Sequence, residues 1–179
     1  NIERVYLQNL LCRSERAHIL PIGVENLSLA KNGLPHLFAK HVSRKIRKVL
    51  VGPFGPTHPE REELLRSTSR ADSQIVRVQK RTTAWEYSRL SQRYEFVACP
   101  RGNGIDTHRF WEVLYRGGIP IVKRSIWSEL IEELGLPLVQ LDTWEMLQNL
   151  DLEEEASRHE HNERLALSPK YWSSLIRSS

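Results

Sequence analysis

The sequence predicts an α/β fold: a doubly wound, mostly parallel sheet with helices on both faces. Apolar runs at 48–54, 95–99, 119–122 and 137–141 alternate with helix-patterned stretches from residue 48 onward. These runs are continuous rather than alternating, as in strands buried on both faces. The stretch Glu95 to Arg124 reads strand, Gly-bearing loop, helix, strand, which is a βαβ unit.

Taken in order, residues 1 to 47 are the least regular part and read as a lead-in carrying edge elements of a preceding domain. They hold apolar pieces at Val5 to Leu7 and Ile19 to Val24, with a short strand expected near Ile19 to Ile22. Asn32-Gly33 reads as a turn, and Pro35 discourages helix before it. Ser43 to Lys48 is a basic cluster, read mainly as a solvated lead-in to a strand.

Residues 48 to 179 form the predicted main domain. Its first strand, KVLVGPF, stops at Gly52-Pro53. Thr57 is placed as N-cap of the helix Pro59 to Ser67, with Glu60 completing a capping box and Pro59 in the first turn. Turn chemistry and ligand contact are both open for Gly52, Gly55 and Thr57. A short strand at Ile75 to Val78 and a helix at Ala84 to Gln92 precede the strand Glu95 to Cys99. Beyond the central unit, Trp127, Leu130, Ile131 and Leu134 share a helical face closed by Gly135. The strand Pro137 to Leu141 follows. Asp142 or Thr143 caps a helix Trp144 to Leu150, an acidic helix runs from Glu153 to Arg164, and YWSSLI makes a last helix after Pro169.

Composition sets limits on function. The 179 residues suffice for one well-buried core, and 26 basic against 22 acidic residues leave a modest surplus spread along the chain. This argues for an anionic small-molecule partner rather than nucleic acid. The two cysteines, Cys12 and Cys99, support neither a disulfide framework nor a thiolate metal site. His159 and His161, two residues apart on a helix, point away from one another, so no metal is expected. No apolar run reaches bilayer length. A soluble domain is expected, with a cytoplasmic setting favoured. Asn1 in place of an initiator Met suggests excision from a longer chain, and the Golgi lumen stays open if that parent carries an anchor.

The chemistry concentrates in the central loop and helix. Gly102 and Gly104, flanking Asn103, let the backbone approach a ligand and take positive φ, and they deliver the chain to Asp106 or Thr107 as N-cap. Backbone N–H groups at such a helix start suit a phosphate or diphosphate, with Arg101 and Arg109 as guanidinium partners. Neither the dinucleotide fingerprint nor the Walker loop is present. At about 100° per residue, Phe110, Val113, Leu114 and Gly117 share the side that packs on the sheet. His108, Trp111, Glu112 and Tyr115 share the other. His108 and Glu112 stand one turn apart, where the carboxylate could accept two hydroxyl hydrogen bonds or simply form a surface pair with the imidazole.

The run FVACPRGNGIDTHRFWEVLYRGGIPIVKR, with ILPIGVENL upstream and LPLVQLDTWEML downstream, resembles the donor-binding half of exostosin-like glycosyltransferases of the GT-B fold. The likeness is specific from Pro100 to Val122, including Glu112 and Gly118-Ile119-Pro120-Ile121-Val122. It implies a Rossmann-like domain that binds a nucleotide-diphosphate sugar and transfers the sugar to an acceptor glycan or similar hydroxyl. Glu112 would bind the ribose hydroxyls. Arg101, the 102–104 loop and Arg109 would hold the diphosphate, Arg109 stabilising it as it departs, and His108 would touch sugar or phosphate. No cofactor is implied. GT-B enzymes use two such domains, so an acceptor domain and the general base would lie outside this stretch. The alternative is a non-catalytic α/β module that binds a nucleotide or phosphate. A receiver-type module is disfavoured because KVLVGPF lacks the acidic cluster such modules need.

Overall fold

Two short strands near the start, Val5–Leu7 (β1) and Ala17–Ile19 (β2), pair in parallel with each other. Five more form the main sheet: Ile46–Val51 (β3), Ile75–Arg77 (β4), Tyr94–Ala98 (β5), Ile119–Lys123 (β6) and Val139–Leu141 (β7). All its pairings are parallel, in the order β4-β3-β5-β6-β7. The computed structural model describes residues 3–29, 33–38, 44–70, 72–160 and 164–177. Asn32 of the expected turn, Ser43 of the basic cluster and His161 lie outside the described residues.

Six α-helices occur among the described residues: Pro59–Ser67 (α1), Ala84–Arg93 (α2), His108–Tyr115 (α3), Ile126–Glu133 (α4), Leu152–His159 (α5) and Pro169–Arg177 (α6). The period of two along each strand divides the core into two layers. Val49, Val51, Phe96, Ala98 and Ile121 face α1 and α5, through Leu64, Leu152 and Ala156. Leu50, Val97, Cys99 and Val122 face α2, α3, α4 and α6, through Tyr87, Phe110, Trp127 and Trp172. The chain runs outward from β3 to β4, then crosses back to β5 and on to β7. This is the doubly wound, Rossmann-like architecture that the apolar runs predict. Its topological switch point lies between β3 and β5.

Local chemistry sets the element ends. Gly52 ends β3 at φ +84°, and a Cβ there would stand 2.5 Å from the Val78 carbonyl oxygen. The strand therefore stops at Val51, short of the expected Phe54. It starts earlier than expected, at Ile46, because Arg47 pairs with Glu95 and Glu153 alongside it. The N-cap of α1 is His58 rather than Thr57: Pro59 holds the preceding residue extended, and His58 Nδ1 accepts from the Glu60 N–H at 3.2 Å. Glu60 forms no capping box. Its carboxylate instead accepts the backbone N–H of Arg101 at 3.2 Å.

Three further expectations are corrected. Trp144–Asn149 is a 3-10 helix, since the buried residues Trp144 and Leu147 repeat at three-residue spacing and Thr143 gives no side-chain cap bond. The strand expected near Ile19 to Ile22 ends at Ile19, because the Ile22 N–H and the Gly23 carbonyl are engaged by Asp106 and His108. Helix α3 is not half exposed: Trp111 and Glu112 are as buried as Phe110 and Val113. Ile19, Ala166 and Trp172 belong to the same apolar cluster as Trp111 and cover the face left polar by the periodicity. Cys99 is buried, and that burial pushes its thiol up to about 12, so it stays a neutral core group. Among the described residues, no helix is long and apolar enough to cross a membrane.

Candidate functional site

The switch point opens into a cleft of about 740 Å³. Its walls come from the loop after β3 (Pro53, Thr57), the loop after β5 (Gly102, Asn103, Gly104, Asp106, Thr107) and the start of α3 (His108, Arg109, Glu112). Arg61 of α1, Arg81 of the loop before α2 and Tyr87 of α2 complete it, with Ile22 and Glu25 from the N-terminal segment.

Two guanidiniums dominate the floor. Arg109 lies between the rings of Phe54 and Tyr87, 4.6 and 4.7 Å from their centroids, and donates from Nη2 to the Pro53 carbonyl at 2.7 Å. Its Nη1 is buried without a partner. Arg61 reaches the same Phe54 ring at 5.9 Å and donates to the Arg101 and Gly55 carbonyls, each at 3.0 Å. Burial, and then the charge of Arg109, lower its pKa. Neither cation forms an ion pair among the described residues. Two adjacent positive charges held by carbonyls are stabilised most by an added anion.

Further polar atoms here also lack partners. Tyr87 is 6% exposed and its Oη makes no hydrogen bond, and Thr107 Oγ1 is buried and unpaired. Thr107 is the N-cap of α3 but supplies no side-chain cap, so the hydroxyl is not used by the helix. Such groups cost on the order of 1–3 kcal/mol each unless a ligand or water satisfies them.

Glu112 is a buried carboxylate of the cleft, 3% exposed. Its Oε2 accepts from Arg116 Nη1 at 3.3 Å, so the expected surface pair with His108 is not made. Desolvation raises its pKa, and the Arg116 charge opposes the rise. Arg116 in turn stacks on Phe38 at 4.5 Å. The sequence Phe54, Arg109, Tyr87, Arg116, Phe38 thus alternates aromatic and guanidinium groups beneath the cleft. His108 places Nδ1 2.8 Å from the Gly23 carbonyl oxygen, which can only accept. Nδ1 therefore donates to that carbonyl, which leaves Nε2 facing other partners.

Not every predicted site residue faces the ligand space. Gly102, Asn103, Gly104, Thr107, His108, Arg109 and Glu112 line the cleft together. Gly102 and Gly104 do not take positive φ; they serve close approach instead. A Cβ on Gly102 would stand 2.8 Å from Arg61 Nη2, and one on Gly104 would overlap the Asn9 side chain. Asp106 lines the cleft but spends both oxygens inside the protein, accepting from Trp111 Nε1 at 2.6 Å and from the Ile22 N–H at 2.8 Å. Arg101 does not line the cleft; it lines a separate cavity with Lys123 and Arg124. The sequence reading missed Arg61 of α1, Arg81 of the loop before α2, and Tyr87 of α2. Their one available signal is position, since α1 directly follows the loop at the carboxyl end of β3. Among the described residues, no three His, Cys, Asp or Glu side chains gather as they would around a metal ion.

Two consequences can be measured. Gly102→Ala displaces the Arg61 guanidinium, a flexible side chain, rather than backbone. We expect little change in melting temperature but a roughly tenfold loss of affinity for a phosphate-bearing ligand, because a charge-assisted bond is weakened. The second concerns pH. Burial raises the Asp106 carboxyl to about 6, against the opposing pull of the Trp111 and Ile22 hydrogen bonds. The unfolded carboxyl titrates near 3.9, so between these pH values the folded chain holds a proton that the unfolded chain has released. Stability contributed by this group therefore falls as pH rises from about 4 to about 7, by on the order of 3 kcal/mol. Urea midpoints across that range should show the fall, and Asp106→Asn should flatten it.

A scan against protein-family models finds no match for this chain, and a search of curated proteins finds none either. The functional reading therefore rests on the fold and on the cleft.

Proposed function

We propose that the cleft binds the diphosphate of a nucleoside diphosphate or nucleotide sugar. The observation that carries this reading is the adjacent Arg61 and Arg109 pair, without an ion-pair partner among the described residues, at the switch point of a doubly wound parallel sheet. Thr107, at the start of α3, and Tyr87 supply hydroxyls in need of acceptors. Glu112 supplies an acceptor for ligand hydroxyls.

Sugar transfer is the finer form of the same reading. It takes up the resemblance of Pro100 to Val122 to exostosin-like transferases, and Glu112 and His108, on one helix lining the same cleft as Arg61 and Arg109, fit it. Departure of a nucleoside diphosphate builds negative charge on its terminal phosphate, and Arg109 and Arg61 would stabilise that charge. His108 Nε2 would hydrogen-bond a donor-sugar hydroxyl. The acceptor glycan and the group that deprotonates its hydroxyl would come from a second domain.

A thermal-shift panel tests the reading. Saturation at about 100 times Kd adds roughly 2.7 kcal/mol of stability, or about 5–10 °C for a chain of this size. A uridine or guanosine diphosphate should give this rise and the parent nucleoside should not. A uniform absence of stabilisation across nucleoside diphosphates and nucleotide sugars would remove the proposal.

A further inference from the structure

We infer a second anion site, separate from the cleft, that takes a phosphate- or sulfate-type oxyanion at the carboxyl ends of β5 and β6. The cavity there measures about 190 Å³, a size for a small ion or a single phosphoryl group rather than a nucleotide. Neighbouring residues divide the two spaces: Glu60 and Arg101 line this one, Arg61 and Gly102 the cleft.

Its lining carries three cations, Arg101, Lys123 and Arg124, and one carboxylate, Glu60. Glu60 Oε1 is committed to the Arg101 backbone N–H. Lys123 pairs with Glu63 at 2.9 Å and Arg124 with Asp142 at 2.9 Å, and neither acid lines the cavity. Arg101 forms no ion pair among the described residues, and its Nε is buried without a partner. Trp127 also lines the space, is wholly buried, and leaves its indole N–H unpaired. The Ser125 and Ser128 side chains are already spent on each other in the capping box of α4. Glu60 is thus one negative charge against three positive ones, and neither Arg101 Nε nor the Trp127 indole N–H has an acceptor.

Glu60 accepts the Arg101 N–H and Arg61 Nε donates to the Arg101 carbonyl, which fixes the backbone on both sides of this residue. Arg101 lines this cavity and not the cleft.

The test is a titration of inorganic phosphate followed by nuclear magnetic resonance on the full chain, reading the indole ¹H–¹⁵N signal of Trp127 assigned by triple-resonance experiments. We expect a saturable downfield shift that persists in Arg109→Met, a cleft variant, and weakens at least tenfold in Arg101→Gln. Arg124→Gln, at an exposed position, serves as second variant should Arg101→Gln fold poorly, and should also weaken binding. A parallel titration with methyl phosphate identifies the source: equal binding assigns the site to a phosphoryl group on a larger molecule, exclusion of the ester to the free ion. No saturable shift at Trp127, or a shift lost in Arg109→Met and kept in Arg101→Gln, would overturn the second site.

Discussion

Arg109→Met should weaken nucleoside diphosphate binding by about 100-fold while leaving the unliganded fold as stable as before. The asymmetry follows from what the guanidinium touches. Phe54 and Tyr87 hold its plane from both sides, and one amino group is anchored on Pro53, so the cation is positioned before any ligand arrives. The other amino group has no partner. Charge-assisted bonds to phosphate oxygens are worth about 1.5–3 kcal/mol each, and losing the equivalent of one or two gives the expected factor. Met keeps much of the apolar stem between the two rings, and removal of the charge relieves its repulsion with Arg61. Arg109→Lys should rescue little, because an ammonium neither fills the planar gap nor offers a forked pair of donors. Calorimetric titration and melting curves on the same preparations read both halves of the prediction.

Glu112→Ala should have the largest effect on stability, on the order of 3–5 kcal/mol. It strips the counter-ion from Arg116, which is 3% exposed and whose Nε and Nη2 already lack partners. For a chain of this size the loss corresponds to a fall in melting temperature of about 10 °C or more. Replacing both members, as Glu112→Leu with Arg116→Met, should recover most of it, since the pair rather than either charge alone fits the surrounding layer. Lost ligand binding in Glu112→Ala therefore would not identify a ligand contact. Glu112→Gln, which keeps the shape and one acceptor, is the informative variant for hydroxyl recognition.

Much of the architecture was legible because it rests on local patterns. Continuous apolar runs mark strands covered on both faces, and Gly117, at φ +72°, ends α3 where the sequence suggests it. Thr83 with Glu86 and Ser125 with Ser128 form capping boxes whose spacing is visible in the chain, although the sequence reading did not use them. The errors arise where distant segments decide. Helical periodicity assigns Trp111 and Glu112 to an outer face, yet the N-terminal segment and α6 turn that face into interior. Adjacency to the glycine loop suggests Arg101 as a phosphate ligand of the cleft, but it lines the neighbouring cavity instead. Arg61 looks like an ordinary solvated helix residue until the fold brings it beside Arg109. Asp106 reads as a cap and instead ties Ile22 and Trp111 to the mouth of the cleft.

The central claim is that the Arg61 and Arg109 pair holds a diphosphate at the switch point. Isothermal titration calorimetry of a nucleoside diphosphate against wild type and the Arg61→Gln/Arg109→Met double variant tests it most directly. The account predicts one-to-one binding by wild type that weakens with added salt and disappears in the double variant. Binding of equal strength in both proteins, or none to wild type across the common bases, would contradict it.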